Sequence, residues 1–257
     1  VYLQDYITPT GDILVMAGDI GSMYRTRQLV DILEQACSMF PIVIYVPGNH
    51  EYYIKDHEKK MKRLIGVVTV KNNLAVQSFG YQNYLPLGKP EILVKNLDRW
   101  GADEILVNVI DRSKKNLGPD FELLKKIKKT KISTPLIYGG GIKSFRDANE
   151  VIKNGADRIL IENIFNERLS EVKKISSYIG SQSVIMSLPL TVENDNLFQF
   201  NYITKKKEFL KKTFLNSIDF ISEILIIDYK NEGFENKFDI KILDKFPKLK
   251  IPKIVFG

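Results

Sequence analysis

The chain is poor in the two residues that most often build compact chemistry. One cysteine, Cys37, in 257 residues excludes an internal disulfide framework and fits a reducing compartment. Two histidines, His50 and His57, are too few for a multi-histidine metal centre. No apolar run reaches the roughly 18 residues that a membrane span needs, and no secretory leader is visible, so the expected location is cytoplasmic with no membrane partner. What is present is ordinary for a globular protein: 44% hydrophobic and 27% charged residues, enough for a sizeable core. The net charge of +7 suits an anionic ligand. Its lysines, however, fall on helical stretches such as 123–129, with no interleaved aromatics for base stacking. They read as solvated helix faces, and no nucleic-acid partner is expected.

From residue 61 onward, short apolar runs alternate with helical periodicity. Strands are expected at 65–70, 105–110, 135–138, 158–161 and 184–188, with helices at 92–100, 121–129, 144–154 and 169–179. Gly101 and Gly155 close two of these helices, and Ser144 with Asp147 three residues on caps another. Buried strands alternating with helices predict a parallel sheet. Residues 197–203, after Glu193-Asn194-Asp195-Asn196, interrupt the alternation as an expected hairpin insert. The text also repeats: Asp103-Glu104-Ile105-Leu106 returns as Ser222-Glu223-Ile224-Leu225, and Pro135–Gly140 as Pro252–Gly257, at a spacing of about 120 residues. A duplication of that length predicts two half-barrels of a (β/α)8 TIM barrel. Measured against the first copy, the second stops inside its glycine loop, so the expectation is an incomplete, C-terminally truncated barrel.

Gly139-Gly140-Gly141 follows a strand and precedes a capped helix. Backbone without Cβ atoms can bring N–H groups to an anion beside a helix N-terminus, although a tight strand-to-helix turn asks for the same residues. The counterpart ending at Gly257 favours phosphate, and a substrate with a phosphate at each end.

Residues 1–60 form a separate strand–helix–strand piece, with strands at 13–17 and 42–46 around a helix near 26–38. Gly18-Asp19 and Gly48-Asn49-His50-Glu51 follow the two strands. This pattern resembles the calcineurin-like metallophosphoesterases, in which the aspartate and asparagine hold metal and the histidine contacts phosphate. The resemblance implies those roles for Asp19, Asn49 and His50. An upstream Asp-x-His motif and later histidine ligands do not appear, so the site is expected to be vestigial and divalent ions to matter only in a complete segment. The expected organisation is a partial phosphoesterase segment at 1–60 joined directly to a barrel at 61–257, from two truncated or fused reading frames.

The barrel text is more specific. Lys71-Asn72, Val76-Gln77-Ser78, Gly118-Pro119-Asp120-Phe121-Glu122-Leu123, Gly139-Gly140-Gly141-Ile142, Gly155-Ala156-Asp157 and Gly180-Ser181-Gln182 resemble the cyclase subunit of imidazole glycerol phosphate synthase, the HisF-like group. The resemblance implies a lyase barrel, with no cofactor, that takes ammonia from a glutaminase (HisH-like) partner and adds it to a bis-phosphorylated substrate in histidine biosynthesis. Paralogues are associated with sugar amidination. It also implies an ammonia gate at Arg63, Glu104, Arg158 and Glu223, a partner interface at Asp157 and Gln182, and phosphate contacts at Gly139, Gly140, Gly141, Asn163 and Gly257. The family's two proton-exchanging aspartates fall on Thr69 and Pro189, which cannot exchange protons near neutral pH. Asp111 and Glu232 are the remaining acids near strand ends. Glu162, where the family has an asparagine, is expected to repel phosphate. Two readings of another kind stay open: a metallophosphoesterase, and a non-catalytic platform for glutaminase docking.

Overall fold

The computed structural model describes residues 8, 10–17, 26–46, 63–162, 168–210, 219–249 and 251–256. The chain divides into two compact units, residues 1–62 and 63–257. In the first, β1 (Ile13–Ala17) and β2 (Ile42–Val46) pair in parallel, with α1 (Thr26–Met39) between them in sequence. A parallel pair needs such a crossover. Asp19, Asn49 and His50 lie outside the described residues. No group of three or more metal-ligating side chains occurs among the described residues.

The second unit begins with β3 (Ile65–Lys71), β4 (Leu74–Phe79), β5 (Asn83–Gly88) and α2 (Pro90–Arg99). β6 (Glu104–Val109), α3 (Phe121–Lys129), β7 (Leu136–Gly139), α4 (Phe145–Lys153), β8 (Arg158–Ile161) and α5 (Leu169–Ile179) follow. It ends with β9 (Val184–Glu193), β10 (Asn196–Asn201), β11 (Lys206–Phe209), β12 (Glu223–Asp228), α6 (Lys241–Lys245) and β13 (Lys253–Phe256). Seven strands pair in parallel in chain order, β3-β6-β7-β8-β9-β12-β13. Helices follow most of them, which is the arrangement of a partial (β/α)8 barrel. None of the described helices is long and apolar enough to cross a membrane.

The sheet curls because its two faces bury different sets. Strand side chains alternate, so Ile105, Val107 and Val109 pack outward with helix residues such as Leu124, Ile127 and Val151. Leu106, Ile137, Leu160, Ile185, Leu225 and Ile227 converge in one inner cluster, with Ile65, Val67 and Ile254 against it. Every parallel strand contributes to that cluster, which only a curved sheet allows. Helix ends follow local chemistry. The Asp120 carboxylate accepts the Leu123 N–H at 3.0 Å at the start of α3, and the Ser144 hydroxyl accepts the Asp147 N–H at 3.3 Å at the start of α4.

Two hairpins depart from pure alternation. β9 runs to Glu193, beyond the expected end at residue 188, because it turns at Asn194 (φ 46°) and Asp195 (φ 64°) to pair antiparallel with β10. Both φ values are positive, as the tight primed turn of a hairpin requires. β4 and β5 were not foreseen. β4 turns back on β3 through a similar Asn72-Asn73 turn, and β5 pairs with β4 through the Gly80-Tyr81 turn, extending the sheet beyond β3.

The glycine loop is sterically closed. A Cβ on Gly140 would lie 2.3 Å from the Val109 carbonyl oxygen, at φ 119°. Gly140→Ala is therefore expected to destabilise the second unit by about 2–3 kcal/mol, whereas Gly118→Ala, which meets nothing within 4 Å, leaves the midpoint nearly unchanged. Urea unfolding of both variants checks this.

Candidate functional site

The inner faces of the strands stack into three levels, because residues two apart share a face. At the amino ends stand Arg63, before β3, Glu104 on β6, Arg158 on β8 and Glu223 on β12. One step up are Val67, Leu106, Leu160 and Leu225. Toward the carboxyl ends come Asn108, Glu162, Ser187 and Ile227.

The lowest level is a closed alternation of charge. Arg158 reaches Glu104 at 3.0 Å and Glu223 at 3.0 Å. Arg63 reaches Glu104 at 3.1 Å and also bonds Glu223. Arg158 further donates to the Ser222 hydroxyl at 2.7 Å and the Gln182 carbonyl at 3.1 Å. Both glutamates and Arg158 are about nine-tenths buried as side chains, while Arg63 keeps 37% of its exposure. The Glu223 Oε2 atom faces Arg158 without hydrogen-bond alignment, so that contact is an ion pair only. Glu104 and Glu223, equivalent in the repeat, occupy equivalent places. At the same end, Asp157 is exposed and accepts the Leu136 N–H at 2.8 Å, and Gln182 is exposed on the short turn before β9.

The upper level opens into a cavity of about 470 Å³ at the carboxyl ends of the strands. Gly140 and Gly141 line it, and Gly139 lies behind them in β7 against Leu160 and Asn108. The Gly141 N–H already donates to the Ser113 hydroxyl at 3.2 Å. Lys114, Lys143 and Arg168 add positive charge to the wall. Asn163 and Gly257 lie outside the described residues.

The acids sort differently from expectation. Thr69 is buried on β3, sharing the inward parity of Val67. Pro189 is buried on β9 where its neighbour changes from β8 to β10, so its missing N–H falls between ladders. Neither lines the cavity. Burial acts to raise the Asp111 carboxyl, but Lys115 at 2.6 Å and the Asn72 N–H at 3.2 Å outweigh it and hold the group below its usual range. Glu232 is pushed up by burial, against opposing hydrogen bonds from the Ser78 hydroxyl (2.9 Å) and the Tyr81 N–H (3.1 Å). It braces the β4–β5 turn, where Tyr81 adopts φ 52°.

The carboxyl on the cavity wall is Glu162. Burial pushes its pKa up to about 8, so near neutral pH it is largely uncharged. The expected repulsion of phosphate is therefore weakened. Tyr81, from the β4–β5 turn, and Tyr202, from the β10–β11 turn, meet edge-on at 4.9 Å beside it. Sequence reasoning missed both tyrosines. The Gly80-Tyr81 pair was the available signal, since a glycine beside an aromatic between apolar runs marks a turn.

Comparison with known proteins adds identity to this geometry. Residues 63–257 match the model of a family described as histidine biosynthesis protein. The chain belongs to that family. Among its relatives, a putative imidazole glycerol phosphate synthase subunit of Vibrio vulnificus is 29% identical over 204 residues, covering 76% of this chain and 73% of the relative. Similarly named proteins of Campylobacter jejuni and Leptospira interrogans are 28% and 25% identical, each matching 76% of this chain and 79% of its own length. The family's residues thus include all three levels of the inner face, while residues 1–62 lie outside the match.

Because the native state holds the Glu162 proton and the unfolded chain releases it, stability is expected to fall as pH rises from about 4.5 to about 8. Glu162→Gln should flatten that slope, as read by denaturant unfolding across the range.

Proposed function

We propose that this chain is a HisF-like barrel that receives ammonia from a glutaminase and delivers it to a phosphorylated ligand, with the family's usual acid pair lost at Thr69 and Pro189. One observation carries the reading: a closed Arg–Glu–Arg–Glu ring at one end of the sheet, an apolar layer above it, and a cavity at the other end. Ammonia is small and neutral, so an apolar layer admits it and excludes ions. Arg63, the most exposed ring member, is the gate's moving part. The relatives' names support the same role. Asp157 and Gln182, exposed beside the ring, supply the docking face for the HisH-like subunit.

The cavity takes a phosphate group through Lys143, Arg168 and the approach over Gly140 and Gly141. Asn163 and Gly257 complete the phosphate contacts in this reading. With Thr69 and Pro189 inert, the substrate is not the one closed into an imidazole ring, and a sugar awaiting amidination fits better. The work is cytoplasmic and asks for no cofactor. In this account two half-barrels descend from one duplication, and residues 1–60 are a metallophosphoesterase-like remnant whose metal residues Asp19, Asn49 and His50 no longer form a working site. No feature of the described residues favours phosphoesterase activity.

Gel filtration with a HisH-like glutaminase tests the central step. A stable complex is expected, and Gln182→Arg should weaken it by about tenfold or more, as a charge placed in a docking face does. Absence of any complex with the unaltered chain would overturn the reading.

Arg158→Ala leaves both glutamates to Arg63 alone. The expected cost is about 3 kcal/mol, with glutaminase binding reduced less than stability, as thermal melts and titration of the partner would show.

A further inference from the structure

Tyr81 and Tyr202 both line the cavity. The Tyr81 and Tyr202 hydroxyl oxygens are both buried and have no hydrogen-bond partner among the described residues. An unsatisfied buried hydroxyl costs about 1–3 kcal/mol, so two beside one cavity point to a ligand that supplies the missing partner. Each ring is also held in place. Tyr81 sits in the left-handed region at φ 52°, where bulky residues are rare, and the Glu232 carboxylate and backbone carbonyl fix that turn by accepting from the Tyr81 and Gly80 N–H groups. Tyr202 packs edge-on against both Tyr81 and Phe200, and Phe200 stacks on Tyr229. The hairpins that depart from the barrel alternation thus converge on one wall of the cavity.

We propose that Tyr81, Tyr202 and Glu162 form a neutral donor triad that receives a carbonyl oxygen of the ligand, and that Glu162 exchanges a proton with it in place of the acids absent at Thr69 and Pro189. The three residues come from the β4–β5 turn, the β10–β11 turn and the carboxyl end of β8, and all line the same cavity. Glu162 is suited to the role because burial holds its proton to about pH 8. Its electrostatic neighbours are the two tyrosines, both also influenced by Glu232. Among the described residues Lys114, Lys143 and Arg168 are the cations on the wall and Tyr84 is a further phenol, while β6, the loop after β7, and β9 present Asn108, Gly140 and Ser187, which carry no charge. A triad without net charge binds a carbonyl and strengthens its hold as negative charge develops on the oxygen.

This inference rests on the ammonia-delivery reading for its chemistry. The ammonia lone pair forms a C–N bond to the carbonyl carbon while the C=O π pair moves onto oxygen. The Glu162 proton passes to that oxygen, and one proton of the new C–NH3⁺ group returns to the Glu162 carboxylate. The product is a carbinolamine, and the carboxyl is restored. The ligand class is therefore a phosphorylated carbonyl compound.

The test uses the full chain and two simple probes, dihydroxyacetone phosphate, which has a carbonyl, and glycerol 3-phosphate, which does not. Their phosphates ionise alike, so effects of the cationic wall cancel between them. Calorimetric or NMR titration is expected to show tighter binding of the carbonyl probe. That preference should decline as pH rises past about 8. Glu162→Gln, which keeps a neutral donor, is expected to remove the decline, and Tyr202→Phe to weaken the carbonyl probe by about fivefold while leaving glycerol 3-phosphate nearly unchanged. Should Glu162→Gln fail to fold, Tyr202→Phe decides. Equal binding of the two probes, no binding of either, or variants indistinguishable from the parent chain would overturn the triad. Those results would leave glutaminase binding untouched, so failure of the triad and failure of the ammonia-delivery reading are read separately.

Discussion

The second unit depends on the four-charge ring at the amino ends of its strands. Arg63, Glu104, Arg158 and Glu223 come from before β3 and from β6, β8 and β12; Arg63–Glu104 joins neighbouring strands, and the other three ion pairs tie together strands that are not neighbours in the sheet. Burying Glu104, Glu223 and Arg158 is costly, and the mutual attraction within the ring offsets that cost only because every carboxylate meets two guanidinium groups. A curled sheet brings the strand ends close enough for this, and the ring in turn resists flattening. The same alternation that puts charges at the bottom puts Leu106, Leu160 and Leu225 in the middle and the cavity at the top. Floor, apolar layer and cavity are therefore one consequence of strand periodicity.

Much of the fold was legible from sequence because it is written in local chemistry. The apolar runs at 65–70, 105–110 and 158–161 became β3, β6 and β8 within a residue, and Ser144 with Asp147 starts α4 as its spacing implied. β5 escaped because its mostly exposed residues, with Pro86 among them, carry little of the buried-strand signal, and β4 because polar Gln77 and Ser78 interrupt its short apolar run. β9 outran its expected end because antiparallel pairing with β10 extends it past Pro189, a partner that no local pattern announces.

The candidate site was less legible, for a reason that residue identity does not contain. Glu162, read in sequence as a charge that would repel phosphate, is largely neutral once burial raises its pKa. Asp111 and Glu232, read as spare acids, are committed instead to Lys115 with Asn72 and to the β4–β5 turn. Tyr81 and Tyr202 gain meaning only when two hairpins fold toward each other. The ring residues were found because a resemblance named their positions; their alternation is a fact of three dimensions.

The central claim is that the ring is a mutually supporting network and not four independent surface charges. A double-mutant cycle on Arg158→Met and Glu223→Gln, measured by denaturant unfolding, tests it most directly. The account predicts a coupling energy of about 2 kcal/mol or more, well beyond the range of exposed pairs. A coupling within about 0.5 kcal/mol of zero would contradict it, and would weaken the proposal of a gate at the floor of the barrel.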